Sequence, residues 1–336
     1  LLLKTMVENG ASDLHITTGT PPQIRVNGKM TPMKMRNLLP TDTKHICYSI
    51  LTETQKRKFE EINELDFSFG VKGLARFRGN IFVQRGALAG VFRLIPYKFL
   101  SFEELGLPSV IKTISNKSNG LVLVTGPTGS GKSTTLASMI DRINSEREEH
   151  IVTIEDPVEF VHQHQKSIVN QREVGVDTRD WQSALKNTLR QAPDVILIGE
   201  IRDRETMEHA LSFSETGHLC ISTLHANSAN QALDRIINFF PEEKRQQLLL
   251  DLSLNLQAFV SQRLIPNNEG GRSAAIEVML GSPTVKELIL RGDISGLKEI
   301  MEKSQDRGMK TFDMALFDLC QAGLISEKEA LHNADS

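Results

Sequence analysis

Residues 126–133, Gly-Pro-Thr-Gly-Ser-Gly-Lys-Ser, meet the spacing G-x-x-x-x-G-K-[ST] in full. Glycines in such a segment let successive backbone N–H groups turn towards an anion. The helix that follows adds its partial positive charge. On this reading Gly126, Pro127, Thr128, Gly129, Ser130 and Gly131 cradle nucleotide phosphates. Lys132 reaches the β- and γ-phosphates, Ser133 ligates Mg²⁺, and Thr134 completes the nucleotide-binding residues. The expected cofactors are ATP and Mg²⁺.

Hydrolysis also needs acids to hold the metal and place water. The stretch 195–200 (VILIGE) reads as a strand ending in an acid, which puts Glu200 where strand ends meet a ligand. The usual pair at this place is Asp-Glu, but Gly199 fills its first position. The second acid must come from elsewhere, and Glu155-Asp156, at the end of strand 151–154, is the candidate. His225 follows another apolar strand and can sense a γ-phosphate or stabilise developing charge. His218, before that strand, is a weaker candidate, and His162 and His164 have no third metal ligand nearby in sequence. Arg76, Arg78, Arg85 and Arg93 cluster in the first hundred residues. An arginine delivered in trans can stabilise charge on a transferring phosphoryl group, which suggests a ring of subunits.

The elements that must hold these groups alternate. An apolar run at 121–125 (LVLVT) reads as a strand buried in a parallel sheet, with a helix at 132–143 after it. Further strands are expected at 151–154, 195–198 and 219–223, and helices at 179–191, 204–214 and 227–239. From about residue 241 the chain reads as mostly helical, with a hairpin near 262–279. Residues 1–97 read as a small α+β domain: strands at 22–26, 75–78, 79–84 and 88–96, and one helix at 41–62. Residues 98–119 read as a linker with one short helix, closed by the polar turn SNKSNG. The domains expected are therefore 1–97, a linker at 98–119, and 120–336.

Composition narrows the class. Residues 1–119 carry 17 Lys and Arg against 10 Asp and Glu, and the remainder 22 against 32. The two parts can attract one another, within one chain or between copies. No basic run with interleaved aromatics points to nucleic acid. Three distant cysteines allow neither a disulfide framework nor a four-cysteine zinc site. No apolar run is long enough to cross a membrane and no secretory pattern is present, so a cytoplasmic protein is expected.

Together the motifs resemble a known family. GPTGSGKST at 126–134, VTIEDPVEF at 152–160, PDVILIGEIRD at 193–203 and ETGHLCISTLHAN at 215–227 look like the four boxes of the secretion ATPases. ASDLHITTGTPPQIRVNG at 11–28, with ARFRGNIF and VFRLIP, is similar to the type IV pilus retraction branch. LKNTLRQAPD, TLHANSANQALDRIINFFPEEKR and SLNLQAFVSQRLIP look closer to its accessory (PilU-like) branch than to the principal (PilT-like) one. The resemblance implies a PAS-like domain followed by a RecA-like ATPase domain with a helical C-terminal part. It implies a homo-hexamer on the cytoplasmic side of the inner membrane at the pilus base. That ring would pull pilin through a platform protein and work with the principal retraction ATPase. It implies that Glu155 activates water, that Glu200 helps hold Mg²⁺, that His225 and His218 are the His-box residues, and that Arg78 and Arg93 approach a neighbour's nucleotide. The principal motor's retraction motif matches only partly at 284–293 (TVKELILRGD), which favours an auxiliary role. An assembly or secretion motor of the same superfamily, a nucleic-acid translocase and a non-enzymatic scaffold are the alternatives. The absent four-cysteine insertion, the acidic C-terminal part and the intact Lys132, Glu155 and Glu200 speak against them in turn.

Overall fold

The computed structural model describes residues 1–95 and 97–336. They form two compact units, Leu1–Lys98 with Pro157–Val161, and Phe99–Asp156 with His162–Ser336.

The first unit holds strands β1 (Asp13–Ile16), β2 (Gln23–Val26), β3 (Lys29–Pro32), β4 (Glu64–Val71), β5 (Ala75–Gln84) and β6 (Ala87–Ile95). Helices α1 (Leu2–Glu8), α2 (Pro40–Tyr48) and α3 (Glu53–Ile62) accompany them. The sheet order is β3-β2-β1-β6-β5-β4, antiparallel at every pair. The helix expected over 41–62 is two helices. Thr52 ends the break between them, its hydroxyl capping Gln55 N–H while the Gln55 side chain returns to Thr52 N–H. The strands expected at 75–78 and 79–84 are one, β5. Gly79 continues it because a Cβ there would lie 2.6 Å from the Phe67 ring. Residue 96, the expected end of β6, lies outside the described residues.

The second unit is an α/β sandwich. Its strands are β7 (Gly120–Thr125), β8 (His150–Glu155), β9 (Ile168–Glu173), β10 (Val195–Ile198), β11 (Leu219–Leu224), β12 (Leu256–Pro266) and β13 (Arg272–Leu280). Their order is β13-β12-β7-β11-β10-β8-β9, parallel except for the β12–β13 hairpin at one edge. Successive residues of a strand face opposite sides, and both sides of β7 are buried. Leu121 and Leu123 enter one core with Met207, Leu233, Leu252 and Val285, while Val122 and Val124 enter another with Ile111, Met139 and Ile143. This is why the strand reads as an unbroken apolar run.

The helices are α4 (Phe102–Leu105), α5 (Val110–Ser115), α6 (Lys132–Glu146), α7 (Trp181–Thr188), α8 (Arg204–Glu215), α9 (Ala229–Asn238), α10 (Glu242–Asn255), α11 (Pro283–Arg291), α12 (Leu297–Lys303), α13 (Phe312–Gln321) and α14 (Glu327–Asn333). Asp180, Asp203 and Ser228 cap α7, α8 and α9 with side-chain oxygens. The segment 98–119 differs from the linker expected. Phe102, Ile111 and Ile114 are buried in the second unit's core, so from Phe99 onward it belongs to that unit. Its polar punctuation marks the ends of two short helices rather than a free tether.

Candidate functional site

Four adjacent parallel strands deliver the candidate groups to one edge of the sheet. The glycine-rich loop follows β7, His225 follows β11, Glu200 follows β10 by two residues, and Glu155 is the last residue of β8. Parallel strands end on the same side, so the sheet gathers side chains that lie up to about a hundred residues apart.

The loop has the backbone its sequence requires. Gly129 and Gly131 lie at φ 78° and 87°, and α6 starts directly after Gly131. Gly129 has open space where a Cβ would be, so a ligand can approach its backbone. Gly126 is needed for a different reason. A Cβ there would lie 2.6 Å from the backbone oxygen of Gln262 and would collide with the Ser130 hydroxyl. That hydroxyl is buried and has no hydrogen-bond partner. Ser133 and Thr134 are half-buried in the first turn of α6.

Lys132 is buried and turned back into the loop. Its ammonium donates to Gly126 O at 2.8 Å and Pro127 O at 3.0 Å, and it faces His225 Nδ1 at 3.3 Å. An ammonium can only donate, so Nδ1 must be the accepting nitrogen of a neutral imidazole. The proton then sits on Nε2, 3.2 Å from Glu200 Oε1. Burial and the Lys132 charge both push the His225 pKa below the ordinary value, with Glu200 opposing them. Glu200 Oε2 is paired with Arg202 Nε at 3.1 Å. The Arg202 guanidinium lies over the Trp181 ring and 4.0 Å from Asp156. Lys132, His225, Glu200 and Arg202 thus form one polar chain across three strand ends.

Glu155 is held from its own sheet. Its Oε2 accepts from Thr153 Oγ1 at 2.7 Å and from Gln171 Nε2 at 3.2 Å. Gln171 Oε1 in turn accepts the His162 backbone N–H at 2.8 Å. The His162 ring stacks on Phe99, with centroids 4.6 Å apart, and its enclosed Nδ1 has no partner. Burial holds that imidazole down to a pKa of about 4. A cleft of about 590 Å³ opens beside the loop, lined by Pro127, Thr128, His225, Asn227, Asp234 and Arg235 among others.

One expectation needs correcting. His218 is not at this edge. It precedes β11, its carbonyl accepting from Gly120 at the start of β7 and its Nδ1 within reach of Thr216 Oγ1 and Phe213 O. A six-residue strand separates it from His225, roughly 20 Å along the sheet. The N-terminal arginines make contacts within their own sheet. Arg93 is bound to Asp13 at 2.9 Å, Arg76 donates to Ser68 at 2.8 Å, and Arg78 lies 3.6 Å from Asp66. Register places Arg25, Asp13, Arg93 and Arg78 in one cross-strand row of the first unit's sheet. Arg85 stands apart, in the β5–β6 turn at φ 49°. Burial alone would raise the Asp13 pKa, but the Ser12 hydroxyl and the Arg93 guanidinium hold it below the usual value. The residues 284–293 lie largely in α11 and, among the described residues, no group of three His, Cys, Asp or Glu could hold a metal.

A family model described as Type II/IV secretion system protein matches residues 2–314. The chain belongs to this family. The Type IV pilus ATPase PilU of Pseudomonas aeruginosa is 50% identical over 336 residues, all of this chain and 88% of that protein. The Type IV pilus retractation ATPase PilT of the same organism is 46% identical over 333 residues, 99% of this chain and 97% of that one. A crystal structure of the pilus retraction motor PilT with bound ADP superposes with a TM-score of 0.93 at 44% identity, covering 99% and 96% of the two chains. The secretion-ATPase resemblance carried by the four boxes, and the retraction-branch resemblance carried by 11–28 with ARFRGNIF and VFRLIP, are borne out by these relatives. Their secretion-ATPase family brings its mixed α/β architecture to this chain over nearly its whole length. Arg202, Gln171 and Gln262, whose amide links Ser130 O to the Thr135 hydroxyl, adjoin the site but are not singled out by the sequence reading. Gln262 and Gln171 sit within β strands, and the polar Ser261-Gln262-Arg263 stretch inside β12 is the one signal that could have drawn attention.

Proposed function

We propose that this chain is an ATP-hydrolysing motor subunit that powers or assists type IV pilus retraction and twitching motility. The observation that carries the reading is the convergence of the 126–134 loop, His225, Glu200 and Glu155 at one edge of four parallel strands. Loop N–H groups and the α6 N-terminus receive the phosphates. Lys132 exchanges its loop carbonyls for β- and γ-phosphate oxygens. That exchange frees His225 Nδ1 from the ammonium and makes the His225–Glu200 pair sensitive to nucleotide. The fit to a divalent cation is oxygen-based: the Ser133 hydroxyl and Glu200 would hold Mg²⁺ together with phosphate oxygens. When bound, the ion neutralises charge on the phosphates. Glu155, kept in place by Thr153 and Gln171, orients and deprotonates the attacking water.

The first unit is read as PAS-like and the second as RecA-like. Six copies form a ring in which Arg78 and Arg93 of one subunit reach the nucleotide of the next. The ring is read as sitting at the cytoplasmic face of the pilus base, against an inner-membrane platform protein and alongside the principal retraction ATPase; the relatives' names, a type IV pilus ATPase and a pilus retractation ATPase, support the pilus part of that reading. No described helix is long and apolar enough to cross a membrane. The test is ATP hydrolysis by purified wild type and Lys132→Ala, together with retraction in cells lacking the chain. Near-normal hydrolysis by the variant would refute the phosphate role, and normal retraction with and without the principal ATPase would refute the motor role.

A further inference from the structure

Strand β12 carries a buried glutamine beside the phosphate loop. Gln262 is only 2% exposed and lies one residue beyond the point where Ser261 pairs with Thr125, the last residue of β7. Both ends of its amide are used. Nε2 donates to Ser130 O at 2.8 Å, and Oε1 accepts from Thr135 Oγ1 at 2.8 Å. Its backbone oxygen is the atom against which a Gly126 side chain would collide, and its Nε2 would lie 3.1 Å from a Cβ on Gly131. One residue earlier, the Ser261 and Thr125 hydroxyls are hydrogen-bonded at 2.7 Å. Strand β12 therefore grips the loop at its start, at Ser130 and in the first turns of α6.

The contact with Ser130 O has a directional consequence. A trans peptide is planar, and its C=O and N–H point in opposite directions. Ser130 C=O and Gly131 N–H belong to one peptide plane. Fixing the carbonyl towards β12 fixes the Gly131 N–H away from β12. Without that bond the peptide can rotate, and Gly131, at φ 87°, sits in a backbone region that glycine leaves readily. We infer that Gln262 is a positioning residue of the phosphate loop: by holding Ser130 O it aims the Gly131 N–H at the nucleotide phosphates, and by accepting from Thr135 it locks the helix start to the same strand. The inference rests on the reading that residues 126–134 hold the nucleotide.

Two substitutions separate this role from simple packing. Gln262→Leu keeps much of the volume but removes both hydrogen bonds. Gln262→Glu restores them only while its carboxyl is protonated, since the acid O–H can donate to Ser130 O and the other oxygen can accept from Thr135. Ionised, it has no donor. Binding of a fluorescent ADP analogue is measured from pH 6 to 9 for wild type, both variants and Lys132→Ala, each confirmed folded by circular dichroism. For Gln262→Leu a Kd raised about tenfold is expected, near the effect of one lost buried hydrogen bond. Its kcat at saturating ATP stays within a few-fold of wild type. Gln262→Glu, as a ratio to wild type, is expected to bind well at low pH and to weaken as pH rises. Binding equal to wild type at every pH would be the same rescue by a carboxyl that stays protonated. Wild-type affinity in folded Gln262→Leu, or an equal deficit of Gln262→Glu at every pH, overturns the inference. Unimpaired binding by Lys132→Ala instead overturns the nucleotide reading beneath it.

Discussion

The His162 ring offers a pH test whose size follows from its surroundings. The residue is half-buried, but its Nδ1 is sealed and unpartnered, and the ring lies flat on Phe99. Burial lowers its pKa from 6.5 to about 4. Between those values the unfolded chain binds a proton that the folded chain does not, so stability must fall as pH falls through that window. One pKa unit corresponds to about 1.4 kcal/mol. Lowering the pH from 7 to 5 should therefore cost the fold about 2 kcal/mol through this one ring, approaching about 3 kcal/mol near pH 4. His162→Phe removes the titration and keeps the stack. The assay is urea unfolding followed by the fluorescence of Trp181, the single tryptophan, which lies in the same unit as His162. Wild type should lose stability on acidification about 2 kcal/mol faster than the variant between pH 7 and 5. Parallel pH dependences in the two proteins would refute the assignment of a buried, neutral His162. The effect reaches the site as well, because the His162 N–H holds the Gln171 amide that donates to Glu155.

Glu155→Gln and Glu200→Gln should each lower kcat at least a hundredfold while ATP still binds, since both are assigned to water and metal rather than to the loop; loss of nucleotide binding in folded protein would contradict those roles. Gly126→Ala should destabilise the chain by about 1–3 kcal/mol, because its Cβ meets backbone at Gln262 that cannot swing aside; an unchanged urea midpoint would show that β12 yields. In rings mixed from Arg78→Ala subunits and Lys132→Ala subunits, activity should depend on which site has an intact neighbour. A defect that scales only with the fraction of Arg78→Ala chains, whatever their neighbours, would remove the trans role.

The sequence made the parallel sheet and its loop legible because both are local patterns. LVLVT is buried on both faces, and the glycine spacing is a backbone requirement that any reader of residues 126–133 can see. Other features depend on tertiary register. β9 was not expected because residues 168–173 (IVNQRE) alternate poorly, yet they pair residue for residue with β8 and bring Gln171 opposite Thr153. The linker reading of 98–119 weighed polar turns above Phe102, Ile111 and Ile114, whose burial appears only when the sheet is in place. His218 and His225 look alike in sequence as residues flanking one strand, but strand polarity puts only the second beside Lys132. The ring–ring stack of Phe99 on His162 spans more than sixty residues and leaves no local trace.

The departure at Gly199 has a steric basis that bears on how the acids are divided. Its N–H donates to Ile154 O at 2.8 Å, so the end of β10 is bound to the end of β8. A Cβ on residue 199 would lie 3.2 Å from that oxygen, 3.3 Å from the Glu155 Cα and 3.5 Å from Trp181. Two of these neighbours are backbone of a central strand and cannot give way cheaply. An aspartate at 199 would thus push apart the two strand ends that carry Glu155 and Glu200. It would also crowd Trp181, on which Arg202 rests while holding Glu200 Oε2. Glycine at 199 therefore suits the close approach of the β10 and β8 ends. Thr153 and Gln171 hold Glu155, and His225 and Arg202 hold Glu200. His225 joins Glu200 to Lys132, so a movement of the Lys132 ammonium reaches Glu200 through a single imidazole.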